Sequence, residues 1–271
     1  MHYHHLRHTA MPAIGFGTWE LRGEACAAAV REALVAGYRH LDTAQSYENE
    51  EHVGRAIQEA GLPREELFLT TKVRPANLSY DDLLRTVEES LSKLGTSHVD
   101  LLLVHWPNPS IALEETLAAM QDIERRGMAN HIGVSNFPPS LVERAAEIID
   151  ISCNQVEYHP YLAQADLLAR AHALRFVLTA YSPLAKGRVA RDPLLIGIGK
   201  RHGKSPTQVA LRWLVQQPGV AAIPKTSNPA RIRENIAIFD FELTNEEMAA
   251  VHGLARPDGR LVDPDWVTSW E

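Results

Sequence analysis

Eight short runs dense in β-branched and apolar residues recur along the chain: AIGFG (13–17), RHLD (39–42), LFLTTKV (67–73), VDLLLVH (99–105), HIGVS (131–135), ISCNQVEY (151–158), FVLTAY (176–181) and VAAIPK (220–225). A longer stretch of helical period separates most of them from the next. This alternation constrains the fold more than any other feature. Several runs are almost continuously apolar, which is the pattern of parallel strands buried on both faces. Parallel neighbours need crossovers long enough to hold a helix. The intervening segments supply them: in EACAAAVREALVA, residues Cys26, Val30, Ala33 and Leu34 repeat at helical spacing, and YDDLLRTVEESLSKL follows Ser79, with Asp82 as its capping-box partner. Four helical segments stop at Gly37, Gly61, Gly95 and Gly127, where glycine can take the left-handed conformation that ends a helix. Eight such units predict an α/β protein with a (β/α)8 TIM barrel, and an open doubly wound sheet is the rival arrangement. No linker or composition shift divides the chain, so residues 1–271 read as one (β/α)8 barrel domain. PLLIGIGKRH (193–202) adds a helix before SPTQVALRWLVQQ, and TNEEMAAVHGL opens a closing helix on the capping pair Thr244 and Glu247.

Composition removes several function classes. With 27 basic against 34 acidic side chains, a net charge of −7 and no cluster of cations, nucleic acid is not expected as a partner. Cys26 and Cys153 are the only cysteines, so no disulfide framework is expected and a reducing, cytoplasmic location is the default. The opening MHYHHLRHTAM lacks the apolar run of a signal peptide, and no later segment has the apolar length of a membrane span. A soluble protein without a membrane partner is therefore expected. His2, His4, His5 and His8 match no closed metal-site spacing and have no cysteine or carboxylate nearby, so they read as a solvated strand or turn rather than a metal site.

Two glycine motifs are local structure. Gly203-Lys204-Ser205 resembles the end of a phosphate loop, but Ile198 stands where that motif needs glycine. Ser205-Pro206-Thr207-Gln208 is better read as an N-cap, a first-turn proline and a capping-box glutamine. Gly15-Phe16-Gly17 begins like a dinucleotide fingerprint, yet the third glycine is replaced by Glu20.

Active sites of parallel barrels form where strand C-termini meet their loops, so the strand ends can be read directly. Strand two ends at Asp42, strand three reaches Lys72, strand four ends at His105, strand five at Ser135-Asn136, strand six carries Asn154-Gln155 and strand seven ends at Tyr181. Each has a structural alternative: Asp42 and Lys72 as an ion pair, His105 as a core histidine, Tyr47 as an aromatic at a helix entry. Collected on one rim they do more. A lysine beside a tyrosine favours the phenolate and lowers the phenol pKa, while a carboxylate on its far side keeps the lysine charged. Such an arrangement donates a proton to a carbonyl oxygen, which a histidine across the cleft can position.

Taken in order, GYRHLDTAQSYENEEHVGRAI, LFLTTKV, DLLLVHWP, IGVSNF, NQVEYHP, AYSPL and IPKTSNPARIREN closely resemble the signature segments of the aldo-keto reductases over nearly the whole chain. The resemblance implies a nicotinamide-dependent barrel, using NADPH/NADP+, that reduces aldehydes and ketones with Asp42, Tyr47, Lys72 and His105 as a catalytic tetrad. It further implies that Ser135, Asn136 and Gln155 hold the nicotinamide carboxamide, that Tyr181 stacks on the ring, and that the stretch from Ser182 through Leu184 to Gly187 covers the pyrophosphate. Lys225, Thr226, Ser227 and Arg231 fall where barrels often bind phosphate, and Glu234 and Asn235 match adenine contacts. Because those four residues group cations and donors with no acidic residue between them, NADPH is expected to be preferred over NADH.

The connections after strands four and seven are short, and the tail beyond Leu254 is brief, as in compact bacterial members that reduce diketo sugar acids and small dicarbonyls. An open pocket follows, with Trp19 and Trp106 as walls and Trp266 as a further candidate from the tail. Monomer is the default that the resemblance implies. Two other classes compete: a cofactor-binding regulatory subunit on the same fold, as in the related potassium-channel β subunits, and a metal-dependent barrel hydrolase. The intact tetrad disfavours the first. The second lacks histidine and carboxylate ligands at the strand ends.

Overall fold

A computed structural model describes residues 2–7, 9–264 and 270 of the chain. Its strands are β1 (Tyr3–His5), β2 (Ala10–Pro12), β3 (Phe16–Gly17), β4 (His40–Asp42), β5 (Phe68–Val73), β6 (Val99–Val104), β7 (Ala129–Ser135), β8 (Cys153–Glu157), β9 (Val177–Tyr181) and β10 (Val220–Ala222). The α-helices are α1 (Gly23–Val35), α2 (Glu50–Ala60), α3 (Tyr80–Leu94), α4 (Leu113–Arg125), α5 (Pro139–Ala146), α6 (Ala165–Leu174), α7 (Pro193–His202), α8 (Pro206–Val215), α9 (Pro229–Ile236) and α10 (Asn245–His252). Strands β3 to β10 pair in chain order, each parallel to the next, so all eight expected runs contribute a strand.

The two edges of this sheet also meet. Gly15 N–H donates to the Ala222 carbonyl at 2.8 Å, Ala222 N–H to the Ala13 carbonyl at 2.9 Å, and Gly17 N–H to the Pro224 carbonyl at 3.1 Å. Closure leaves no free edge, which decides for the (β/α)8 barrel against the open sheet.

The helix-end signals read from the sequence appear with one exception. Gly37, Gly61, Gly95 and Gly127 all have positive φ, between 64° and 100°. Reciprocal capping boxes form at Ser205 with Gln208 and at Thr244 with Glu247. Ser79 is the N-cap of α3, but the expected box is not made: its hydroxyl donates to the Asp82 carboxylate at 2.9 Å, while Glu115 accepts the Tyr80 N–H. Aspartate is one carbon shorter than the usual box residue, and here its carboxylate captures the serine instead of reaching the backbone.

The main core lies between the sheet and the helices, and a second cluster of Met11, Phe68, Leu101, Leu103, Cys153, Val177 and Ala221 fills the barrel, with Leu6 packed against it. Strands β1 and β2 form an antiparallel hairpin that supplies Met11, and His4, the half-buried middle residue of β1, lies within 2.9 Å of the Val220 carbonyl through Nε2. This N-terminal segment is thus partly anchored to the barrel rather than fully solvated, and His8 lies outside the described residues. No described helix is long and apolar enough to cross a membrane.

Candidate active site

Period-two alternation along the strands selects which side chains enter the barrel. On β5, Phe68, Thr70 and Lys72 share one face, and Phe68 belongs to the interior cluster. On β6 the same parity runs through Leu101 and Leu103 and arrives at His105, just beyond the strand. Cys153 and Val177 set the parity that carries Gln155 on β8 and Tyr181 on β9 to the same face. Because the strands are parallel, these polar side chains collect at one rim, and on β8 Glu157 follows Gln155 at the next position of the same parity.

Lys72 is fully buried there and has three partners: Asp42 Oδ1 at 2.5 Å, the Thr43 carbonyl at 2.9 Å and the Tyr47 hydroxyl at 3.1 Å. The other oxygen of Asp42 accepts from Gln155 Nε2 at 2.7 Å. Tyr47 arrives on a short 3-10 turn, Gln45–Tyr47, and the His105 ring packs edge-on against it, with centroids 5.5 Å apart. Two buried polar side chains hold that turn in place. Asn49 accepts from the Thr43 hydroxyl and donates to the Thr18 and Leu21 carbonyls, while Gln45 accepts from Arg74 N–H and Asn77 and donates to the Thr86 carbonyl and Ser90.

The charges follow from burial. Desolvation opposes charge on Lys72, but Asp42 and the Tyr47 oxygen overcome it, and the lysine pKa stands above its ordinary value. For Tyr47 the balance differs from the sequence expectation. Burial raises its pKa more than Lys72 lowers it, so the net shift is upward and the phenol is protonated at neutral pH. Lys72 therefore does not ready a phenolate in advance; it lowers the cost of forming one. His105 is pushed down to about 3, first by burial and then by Lys72, so its imidazole is neutral. Its buried Nδ1 has no hydrogen-bond partner within the described chain.

A cavity of about 1490 Å³ runs from this cluster to the N-terminus of α9. Asp42, Tyr47, His105, Ser135, Asn136, Gln155, Tyr181, Ser182, Leu184 and Gly187 line it, as do Lys225, Thr226, Arg231, Glu234 and Asn235. Trp19, half-exposed, and Trp106 line it as well. Ser227 is exposed and is not among the lining residues. Lys72 sits behind Tyr47 rather than in the cavity wall. Trp266 lies outside the described residues.

Asn136 ties the carboxamide candidates together. It adopts φ of +61°, donates through Nδ2 to the His105 carbonyl and to Ser135 Oγ, both at 3.0 Å, and accepts at Oδ1 from the Tyr181 hydroxyl at 2.8 Å. Asparagine tolerates this left-handed backbone better than most residues. Gln155 commits one amide N–H to Asp42, which leaves its carbonyl oxygen and second N–H for a ligand.

At the far end the Asn228 side chain caps α9 by accepting from Ala230 and Arg231 N–H, and Arg231 stands exposed in its first turn. Lys225 is within 3.8 Å of Glu20. These cations, a helix N-terminus and a long cavity leading to the protonated Tyr47 hydroxyl suit a dinucleotide with a phosphate on its distal ribose. Lys186, within the stretch expected to cover the pyrophosphate, also lines the cavity, and sequence reasoning missed Arg188, Arg191 and Val262, which line it as well. The basic spacing of AKGRVAR was a usable signal for the two arginines. Val262 gives none, because only the tail's path brings it there.

Residues 13–256 match the sequence profile of the aldo/keto reductase family. Methylglyoxal reductase DkgB of Escherichia coli O157:H7 is 38% identical over 261 residues, spanning 94% of this chain and 97% of that one. A solved structure assigned as a 2,5-diketo-D-gluconic acid reductase B superposes with a TM-score of 0.92 at 51% identity, covering 94% of this chain and 91% of the other. The Bombyx mori aldo-keto reductase in complex with NADP aligns with a TM-score of 0.85 at 36% identity, over 91% of this chain and 90% of that one.

Proposed function

The chain belongs to the aldo/keto reductase family of NADP-dependent oxidoreductases acting on carbonyl groups, and on that premise we propose that it reduces small dicarbonyls and keto sugar acids to alcohols through Tyr47, Lys72, Asp42 and His105. The observation that carries this reading is the fully buried Lys72 held behind the cavity wall between Asp42 and the Tyr47 hydroxyl. The names of the relatives given above support the substrate class.

NADPH, when bound, supplies the hydride. Ser135, Asn136 and Gln155 would hold its carboxamide, Tyr181 would face its ring, residues 182–187 would cover its pyrophosphate, and Lys225, Thr226 and Arg231 its ribose phosphate, all of them in the cavity wall. Tyr47, protonated at neutral pH, gives its hydroxyl proton to the substrate oxygen. Lys72, 3.1 Å from that hydroxyl, stabilises the phenolate left behind, and Asp42 keeps Lys72 charged and oriented. Neutral His105 presents a ring to the substrate oxygen without adding a charge. Trp19 and Trp106 offer apolar surface beside it.

The test is NADPH oxidation with methylglyoxal, diketo sugar acids and simple aldehydes, for the wild type and Tyr47→Phe. The variant keeps the aromatic ring but not the proton, so turnover should fall by ~10²-fold or more while NADPH still binds. Near-normal turnover in the variant would remove Tyr47 from the mechanism. Tight cofactor binding with no oxidation against any carbonyl would instead favour a binding subunit.

A further inference from the structure

The motif NQVEYHP contains a carboxylate and an imidazole that the proposed chemistry does not use. Glu157 and His159 are buried at the C-terminal end of β8, and the sheet register sets Glu157 opposite Tyr181. Two backbone groups from the far end of the chain converge on this carboxylate: Leu261 N–H donates to Oε1 at 2.8 Å and Val262 N–H to Oε2 at 2.9 Å. His159 Nε2 lies 3.0 Å from Oε1. The other ring nitrogen fixes the tautomer. Tyr161 N–H donates to Nδ1 at 3.3 Å, so Nδ1 is an acceptor and Nε2 carries the proton that goes to Glu157. Three donors therefore meet a group that can accept all of them, and an amide in its place would oppose one N–H with another.

The tail is fitted closely on either side of this anchor. Arg256 N–H donates to the Tyr161 carbonyl at 3.1 Å, and a Cβ on Gly259 would lie 1.8 Å from that same oxygen, so the path requires glycine. Beyond the anchor, Val262 lines the cavity. The Arg260 guanidinium stacks 3.7 Å from the Trp270 ring centroid, and Trp270 packs edge-on against Trp106, with centroids 5.9 Å apart.

We propose that Glu157 is a positioning residue for the substrate side of the cleft: its carboxylate fastens Leu261 and Val262 to the barrel rim and so sets the wall formed by Val262 and by Trp106, on which Trp270 packs. The latch is a property of the fold, and only its effect on substrate choice rests on the proposed carbonyl chemistry.

Hydrogen exchange over residues 255–264, read by mass spectrometry in the wild type and Glu157→Gln, tests the latch without any turnover. The Leu261 and Val262 amides should be protected in the wild type and exchange ~10- to 100-fold faster in the variant, the effect of losing a charge-assisted hydrogen bond. NADPH affinity should stay within about twofold. The KM for a bulky aromatic aldehyde relative to that for a small dicarbonyl should change by about tenfold, with kcat for the small substrate little altered.

Unprotected amides in the wild type, unchanged protection in Glu157→Gln, or a released tail with an unchanged KM ratio would each overturn the proposal. If Glu157→Gln does not fold, Glu157→Asp keeps the buried carboxylate but is one methylene too short to reach both amides, and the same release is expected. A wild type that oxidises NADPH with no carbonyl defeats the proposed function, while the exchange result still decides the latch.

Discussion

Lys72→Met separates what the Lys72–Asp42 pair does for stability from what it does for chemistry. Methionine nearly fills the lysine stem's space but removes the ammonium group, and with it the bonds to Asp42, Thr43 and Tyr47. Asp42, 1% exposed, is then a buried carboxylate whose remaining side-chain partner is Gln155. Breaking a buried pair from one side costs about 3–5 kcal/mol, because the surviving charge loses its counter-charge without regaining water. At roughly 2–4 °C per kcal/mol for a chain of this size, the midpoint of thermal unfolding should drop by roughly 6–20 °C.

Asp42→Asn alone should cost a similar amount by stranding the ammonium group. The double variant Asp42→Asn/Lys72→Met removes both charges while leaving an acceptor for Gln155, so it should recover most of the loss. Urea unfolding of all four proteins, followed by tryptophan fluorescence and linear extrapolation, measures the cycle. Double-variant destabilisation equal to the sum of the single losses would refute the reasoning, because it would mean that the two charges do not depend on each other. Carbonyl reduction should be crippled in every variant, the well-folded double included, if the pair is retained for Tyr47 rather than for the fold.

Arg231→Ala should weaken NADPH by roughly ten- to a hundredfold, the loss of one charge-assisted contact, and leave NADH almost unaffected. Titrating both cofactors decides it, and equal losses would make Arg231 a structural residue. Acid stability should report the buried histidines. Burial first of all lowers His105 to about 3 and His40 to about 4, so below an unfolded value near 6.5 the unfolded chain takes up protons that the native chain refuses. Stability should therefore fall as pH falls, by ~1.4 kcal/mol per pH unit for each histidine, until pH reaches their folded values. Denaturant midpoints at pH 7, 6 and 5 check this, and a flat profile from pH 6 to 5 would contradict it. Gly54→Ala should destabilise the chain by ~1–3 kcal/mol, because the added Cβ would lie 2.5 Å from the Leu94 carbonyl at the end of α3. Thermal unfolding that matches wild type would show that this crossing can relax.

The sequence by itself determined the alternation, and through it eight parallel strand and helix units, which a barrel or an open sheet could both hold. Nearly continuous apolar runs, helical stretches of period 3.6 and glycines at helix ends are local signals, and in this chain each agrees with the global arrangement. The rim was legible in the same way: a polar residue that interrupts a buried parallel strand near its C-terminal end, such as Lys72 or Gln155, is conspicuous in one dimension.

Other features depended on where distant segments meet. Closure of the barrel rests on Gly15, Gly17 and Ala222, whose contact no local pattern announces. The upward shift of Tyr47 required knowing that burial around its ring outweighs Lys72 beside its hydroxyl, a balance of opposed effects that a motif cannot weigh. Ser79 took the side chain of Asp82 instead of completing a capping box, a choice made within ångströms. Glu157 is more than a hundred residues of chain from Leu261 and Val262. Only the folded path of the tail, threaded past Tyr161 at Gly259, brings its amides to the carboxylate. Local periodicity is written residue by residue, whereas desolvation and long-range hydrogen bonding belong to the surroundings, which exist only once the chain has closed on itself.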